Sequence, residues 1–315
     1  MSNYIRVSSL GSPGALYAEG ETDYQKLVDK MKLMWQEELE KVLPDKPDLI
    51  VLPECCDEFS GLSSKENIEY YRVRKDQIRD YFMKTAKENN CYIAYSAMRY
   101  IPDGSIRNST QIIDRDGNIA GIYNKNHPTI RDHEINGTLY GKNANVIKCD
   151  FGKVACVICF DLNFDELRLK YVEQKPDLVI FSSYYHGGLM QNYWAYSCRT
   201  YFVGCIMGLQ NTIISPVGEV VARSTNYFHH LSHNINLDYI VCHLDYNWHK
   251  LDAIKKKYGT KVNIYDPGYL GSVLVSSESE DLAAMDLAKE FELELLDEYF
   301  ERCRNHRSMP GKIEL

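Results

Sequence analysis

Long apolar runs are missing from this chain of 315 residues. The longest, Tyr201 to Leu209, has the length of a strand. A helix that crosses a bilayer needs about 20 such residues, so no membrane association is expected. The first residues, Met1-Ser2-Asn3-Tyr4-Ile5-Arg6, lack a charged region followed by an apolar stretch, and no signal peptide is read there. Basic charge is also short. With 36 Lys and Arg against 44 Asp and Glu, the net charge is −8, which argues against the electropositive face that nucleic-acid binding requires. The one compact basic run, Lys255-Lys256-Lys257, reads as a solvated helix face. Cys156 and Cys159 spell C-x-x-C, but a second such pair is lacking, and a zinc site needs two more ligands. Their odd spacing would also put them on opposite faces of a strand. That disfavours both a metal clip and a redox pair. The ten cysteines then read as free, mostly buried thiols in a reducing, cytoplasmic setting.

Repeats and low-complexity tracts are absent as well. What is present is a globular composition, 44 % hydrophobic and 25 % charged, with enough apolar mass for a large core. β-like runs alternate with helical patterns over residues 1–245, which we read as one domain. Thr22-Asp23-Tyr24-Gln25 has the form of a capping box and opens a helix with apolar positions from Tyr24 to Val42 at helical spacing. Asp48 to Pro53 reads as a buried strand, Ile78 to Ala86 as a helix, and Cys91 to Met98 as the next strand. Three hairpins turn at Arg115-Asp116-Gly117-Asn118, Asp150-Phe151-Gly152-Lys153 and Pro216-Val217-Gly218-Glu219. Strands with segregated helices suggest helices layered over sheets. Residues 246–315 read as an extension of the same domain without a core of its own. It is irregular to residue 280, then a long amphipathic helix from Asp281 to Cys303. The apolar side of that helix (Leu282, Met285, Phe291, Leu295, Phe300) suggests an oligomer contact, in a homodimer or larger even homo-oligomer.

Three positions invite chemistry. Cys159 ends the strand-like run Lys153 to Ile158 and precedes Phe160-Asp161-Leu162-Asn163-Phe164-Asp165-Glu166, an acidic helical start. A cysteine at such a junction is rigidly held. A helix N-terminus there would favour its thiolate, and the N–H groups just after it could serve an oxyanion. A buried core cysteine is the plainer alternative. Glu54 follows the buried run Ile50 to Pro53, where partial desolvation suits a general base; a solvated loop glutamate is the plain alternative. Lys125 follows the strand Ile119 to Tyr123 and is either a surface cation or a charge fixed for a developing oxyanion.

Each signal is weak alone, but together they form a pattern. Val51-Leu52-Pro53-Glu54, Tyr123-Asn124-Lys125 with His127, and Ile158-Cys159-Phe160-Asp161 with Phe164 and Glu166-Leu167 resemble the three signature blocks of the nitrilase-type carbon–nitrogen hydrolases. The spacing agrees, with 71 residues from Glu54 to Lys125 and 34 from there to Cys159. The resemblance covers residues 4–245. It implies an α/β fold, a four-layer α-β-β-α sandwich, with a Glu-Lys-Cys triad. It also implies a second glutamate, best matched by Glu134, and an arginine after the next helix, Arg199, read as structural. Asn163 and Asp165 depart from the family's arginine and proline, which puts a substrate-carboxylate contact at position 163 in doubt. Phe160 stands where nitrilases carry tryptophan and favours amides over nitriles. Phe160, Tyr185 and His186 are candidate substrate contacts, the last two from the loop Ser182 to Gly188. Arg131 could meet an acidic substrate, though a surface arginine is the simpler reading.

The activity expected is hydrolysis of a small amide or carbamoyl compound through a Cys159 thioester, releasing ammonia or an amine, a mechanism that requires no metal and no organic cofactor. Nitrile hydrolysis or acyl transfer on the same triad is the alternative within the family. A metal-dependent phosphoesterase on a similar sandwich would need clustered Asp, Asn and His ligands, which the order of residues does not supply. A non-catalytic binding protein would be expected to have lost one of Glu54, Lys125 or Cys159.

Overall fold

The structure, a computed structural model, describes residues 2–12 and 14–314; Met1, Pro13 and Leu315 lie outside the described residues. The chain forms two units, residues 5–235 and residues 236–314 together with residues 2–4. The strands, in chain order, are β1 (Tyr4–Leu10), β2 (Leu16–Tyr17), β3 (Leu49–Val51), β4 (Phe59–Ser60), β5 (Tyr92–Tyr100), β6 (Ile106–Ile113) and β7 (Ile119–Asn124). They continue as β8 (Ile147–Cys149), β9 (Gly152–Ile158), β10 (Leu178–Ser183), β11 (Tyr201–Ile206), β12 (Thr212–Ile214), β13 (Val220–Arg223) and β14 (His230–Asn236). Six helices are interleaved with them: α1 (Tyr24–Leu39), α2 (Ser64–Arg74), α3 (Gln77–Asn89), α4 (Ile130–Glu134), α5 (Asp165–Gln174) and α6 (Leu189–Cys198).

Among the described residues the larger unit holds two six-stranded sheets, ordered β14-β1-β3-β5-β6-β7 and β13-β12-β11-β10-β9-β8. Central strands are parallel, β1 to β3 to β5 in one sheet and β9 to β10 to β11 in the other. Parallel strands are covered on both faces and so read as unbroken apolar runs; all three residues of β3 are buried. The three glycine turns close the hairpins β6-β7, β8-β9 and β12-β13 as the sequence indicates.

Helices cover the outer face of each sheet. In α1 the residues Leu27, Met31 and Trp35 recur at helical spacing and join Ile50, Phe82 and Ile93 in one core. The cap of α1 is Asp23 rather than Thr22, because the Asp23 side chain accepts from the N–H groups of Gln25 and Lys26. Leu167 and Tyr171 of α5 and Trp194 of α6 pack with Val179, Phe181 and Phe202 of the second sheet. Burying each such side chain is worth about 1.5–3 kcal/mol. The inner faces meet through small polar groups. Ser9 Oγ donates to the Gly204 carbonyl at 3.0 Å and Ser182 Oγ to the Leu52 carbonyl at 2.7 Å. The result is the α-β-β-α sandwich.

The smaller unit corrects the reading of the tail. Residues 246–280 are not irregular. They contain α7 (Trp248–Tyr258), β16 (Val262–Tyr265) and β17 (Ser272–Ser277), and with β15 (Tyr239–His243) the strands form an antiparallel sheet ordered β15-β17-β16. The expected long helix is two, α8 (Ala284–Glu290) and α9 (Leu296–Arg307), broken where Glu292 adopts φ 53°. This unit has its own core, built on Ile240, Cys242, Ile254, Val262, Val273 and Leu287, with Leu282, Phe291 and Leu295 packed on it. The misleading signal was serine. Ser272, Ser276 and Ser277 are buried strand residues here, and Ser277 Oγ satisfies itself on the Ser279 and Leu282 carbonyls. Among the described residues no helix is long and apolar enough to cross a membrane.

Candidate active site

Glu54, Lys125, Cys159 and Tyr184 each follow the last residues of a strand, β3, β7, β9 and β10 in turn. Ends of parallel strands are where α/β folds hold ligands. The four line one cavity of about 280 Å³, together with Cys55, Glu58, Met98, Asn108, Thr129, Asp132, Asn136 and Thr138.

Cys159 sits at a sharp elbow. β9 ends at Ile158, Cys159 takes φ 48°, and a three-ten turn runs Cys159–Asn163 before α5 starts at Asp165. A non-glycine residue in this left-handed region costs about 1–2 kcal/mol, and such strain persists only where surrounding contacts hold it. Here Asp161 supplies the contacts. Fully buried, it accepts from the Ile158 N–H at 3.2 Å, the His127 N–H at 2.8 Å and the Tyr123 hydroxyl at 2.8 Å. The His127 ring stacks on Phe164 with centroids 3.8 Å apart. The second and third sequence blocks are thus bonded to each other through Asp161, which ties the lysine's strand end to the cysteine's elbow.

Lys125 Nζ donates to Glu54 Oε1 at 2.7 Å, and both side chains are almost wholly buried. Asn108 Nδ2 donates to the same oxygen at 2.8 Å and the Tyr184 N–H to Oε2 at 3.3 Å. Burial alone would lower the Lys125 pKa, but Glu54 and Cys159 outweigh it and the net direction is upward; the ammonium stays charged. Asn108 Oδ1 and Thr138 Oγ1 are buried with no hydrogen-bond partner among the described residues. Orphaned polar atoms in a cavity wall are costly unless something binds them.

One expectation about Cys159 does not survive. The helix that was to favour its thiolate begins six residues further on, and the thiol is pushed up to about 11. Burial is the main cause and the Glu54 carboxylate the second, while Lys125 and a Ser183 hydrogen bond oppose them. A thiol with so little thiolate at neutral pH needs a base at the moment of attack. Alkylation of Cys159 by iodoacetamide, followed by peptide mapping, is expected to accelerate steadily from pH 7 to beyond 9. A plateau reached below pH 8 would contradict the raised value. The neighbouring Cys55 lines the same cavity, and burial followed by Glu58 and Glu54 drives its thiol well above the ordinary range.

The other candidates divide. Glu134 is exposed on α4 and outside the cavity lining; Asp132 of the same short helix lines it instead, while its carboxylate accepts the Thr129 N–H at 3.0 Å. Phe160 is 39 % exposed and packs edge-on against Phe164 rather than lining the cavity. Tyr185 packs on Phe181, and neither it nor His186 is in the lining. Tyr184 takes that place. The two-residue period of a strand would have told them apart. Tyr184 shares parity with Ser182, which bonds across to Leu52, whereas Tyr185 shares parity with Phe181 on the helix-covered face. Arg131 is exposed and outside the lining. Arg199 ends α6 at φ 52° with its guanidinium over Tyr196.

Lys125 is also held from behind. Gly141 donates its N–H to the Lys125 carbonyl at 2.7 Å, and a Cβ at Gly141 would fall 2.1 Å from the Asn124 carbonyl oxygen. That contact is with backbone and cannot yield cheaply. Gly141→Ala is expected to cost about 1–3 kcal/mol, as overpacking does, and to lower kcat by shifting Lys125. A thermal melt with a parallel rate measurement checks it; unchanged values for both would show that the segment is free to move aside.

Comparison with known proteins gives the family and the fold. The carbon-nitrogen hydrolase family model matches residues 13–238. A deaminated glutathione amidase of Dictyostelium discoideum is 28 % identical over 176 residues, covering 50 % of this chain and 60 % of that protein. An omega-amidase NIT2 of Xenopus tropicalis is 23 % identical over 216 residues, covering 61 % of this chain and 78 % of that one. The crystal structure of Saccharomyces cerevisiae Nit3, a nitrilase-superfamily member, shares the fold with a TM-score of 0.62 at 19 % identity, covering 74 % of this chain and 90 % of that one. With a match over most of its length, this chain belongs to the carbon–nitrogen hydrolase family.

Proposed function

We propose that the chain hydrolyses the C–N bond of a small amide or carbamoyl compound, with Cys159 as nucleophile, Glu54 as general base and acid, and Lys125 as oxyanion partner. The buried Lys125–Glu54 pair at 2.7 Å, in one cavity with an elbow cysteine, carries this reading. Glu54 takes the Cys159 proton as Sγ bonds to the carbonyl carbon. The oxyanion is met by the Lys125 ammonium and by N–H groups of the turn after Cys159. Collapse breaks the C–N bond, and the proton passes from Glu54 to the departing nitrogen. Water, deprotonated by Glu54, then attacks the thioester, and Sγ leaves with a proton. Two moderate barriers replace one high one.

The lining narrows the substrate. A volume of about 280 Å³ sits just below the range for drug-sized ligands, roughly 300–1,000 Å³. Glu58 and Asp132 add negative charge to Glu54, and among the described residues of the lining Lys125 is the only cation and none is arginine. We therefore favour a neutral or amine-bearing amide over a dicarboxylate monoamide. Glu58 adds a pH dependence. Burial, with Asp57 and Glu54 nearby, pushes its carboxyl up to about 7 against the Tyr71 hydrogen bond. It is mostly protonated below that pH and ionised above it. For an amine-bearing amide, kcat/KM relative to a neutral amide is expected to rise as pH passes through about 7, and Glu58→Gln should flatten the rise. An identical ratio at pH 6 and 8 would remove Glu58 from substrate recognition. Ammonia release across a panel of neutral amides, amine-bearing amides, carbamoyl amines, monoamides of diacids and nitriles tests the whole reading.

The rest of the proposal concerns setting. All ten cysteines are free, which suits a reducing cytoplasm. A homodimer or larger even oligomer remains our expectation, since two-fold assembly is common, although most of the tail's apolar side is taken up in its own unit. Met285 stays 45 % exposed. Light scattering of the intact chain decides the oligomeric state.

A further inference from the structure

A second and larger cavity lies on the opposite, helix-covered face of β5 and β6, beneath the junction of α2 and α3. Its volume is about 600 Å³, within the range that holds small organic ligands, roughly 300–1,000 Å³. The lining is strongly cationic. Arg72, Arg74, Lys75, Arg79 and Arg99 face one carboxylate, Asp76. Part of this charge is answered by protein. Arg72 pairs with Glu69, Arg74 with Asp57, and Arg79 with Asp76 and Asp80. The rest is not. The guanidinium of Arg99 makes no hydrogen bond or ion pair among the described residues, although burial and repulsion from Arg79 and Arg107 work against its charge, with only Asp76 in its favour.

One buried group in the wall lacks a partner. Arg74, whose side chain is only 4 % exposed, donates to Asp57 at 2.8 Å and to the Met98 carbonyl, but its Nε is buried and unbonded. The carboxamide of Gln111, a residue 4 % exposed, also lines the cavity. Buried donors left unpaired cost about 1–3 kcal/mol each, and uncompensated guanidinium charge costs more. An anion in the cavity would meet the Arg99 guanidinium and the Gln111 carboxamide, both in the lining. Guanidinium forks match the planar oxygens of carboxylate and phosphate. Tyr95, Tyr100, Ile101 and Pro102 complete the wall with apolar and aromatic surface.

We propose that this cavity is a second binding site, for a small organic anion that carries a phosphate or carboxylate group on an apolar body. It is distinct from the cavity of Glu54, Lys125 and Cys159. Met98 lines both, and the buried Arg74–Asp57 pair, with the Tyr95 hydroxyl also donating to Asp57, closes the wall beside it. The charge contrast separates their ligands, since the catalytic cavity is lined by three carboxylates and one lysine.

Isothermal titration of the full chain with phenyl phosphate and, separately, with benzoate tests the proposal. At least one probe should bind saturably by millimolar concentration, and whichever binds identifies the anionic group. Arg99→Gln should weaken binding roughly tenfold or more, the scale of a lost charge-assisted hydrogen bond. Lys75→Gln, at an exposed position where folding is not at risk, should weaken it less. Lys84→Gln, on the exposed surface of α3 and outside the lining, should leave it unchanged, as should Cys159→Ala. Absence of saturable binding for both probes would overturn the site. So would binding that ignores Arg99→Gln and Lys75→Gln, or that disappears in Cys159→Ala.

Discussion

Cys159→Ala is expected to fold like the wild type and to turn over nothing. The substitution removes one sulfur atom from a cavity wall and leaves Asp161, which holds the elbow through four groups of the surrounding segments, untouched. Alanine at φ 48° carries the same left-handed strain as cysteine, so the melting temperature should barely move. Activity has no second route. Cys55 shares the cavity, but its thiol lies well above the ordinary range and is 7 % exposed. Without Sγ at position 159 no thioester forms, and the loss should reach the assay floor. Residual turnover within about a hundredfold of wild type would mean that the cavity catalyses by some other nucleophile, since removal of a residue acting at the transition state costs about 10²–10³ or more.

Glu54→Gln and Lys125→Ala are each expected to lower kcat by at least about 10²–10³, and here stability must be separated from chemistry. The pair is buried, with side chains 2 % and 5 % exposed. Removing one partner leaves a charge without its counter-ion, at a cost of about 3–5 kcal/mol. Both variants should therefore melt earlier than wild type, unlike Cys159→Ala. Rates need to be taken well below their melting temperatures. The double variant Glu54→Gln with Lys125→Ala should be about as slow as the slower single variant, because residues that act as one unit are not additive. A double variant slowed by the product of the two single losses would show that the pair does not act as one unit.

How far the sequence foretold this is best seen at particular residues. Glu54, Lys125 and Cys159 were legible because each comes at or just after the end of a strand, and strands of the two sheets that end on the same side deliver their next residues to one cavity. Asn108 was not. It lies inside β6 with no local motif and reaches Glu54 only through strand pairing across the sheet. The second carboxylate was misplaced for a related reason. In a helix as short as α4, a shift of two residues turns a side chain to the other face, and Asp132 rather than Glu134 meets the cavity. The low-pKa expectation for Cys159 failed because the three-ten turn intervenes, so that burial rather than a helix dipole sets the thiol. The tail was hidden by buried serines, which composition counts as loop and β17 uses as strand. The basic cavity left no trace in the net charge, since its cations are dispersed from Arg72 to Arg99 and converge only in the fold.

The central claim is that the substrate's acyl group passes through Cys159, and the most direct measurement is mass spectrometry of the intact chain quenched during turnover, with peptide mapping of any adduct. The account predicts one acyl group per chain, carried on the peptide of Cys159 and absent from Cys159→Ala. An adduct on Cys55 or on the exposed Cys303, or full turnover with no adduct at any time, would contradict it.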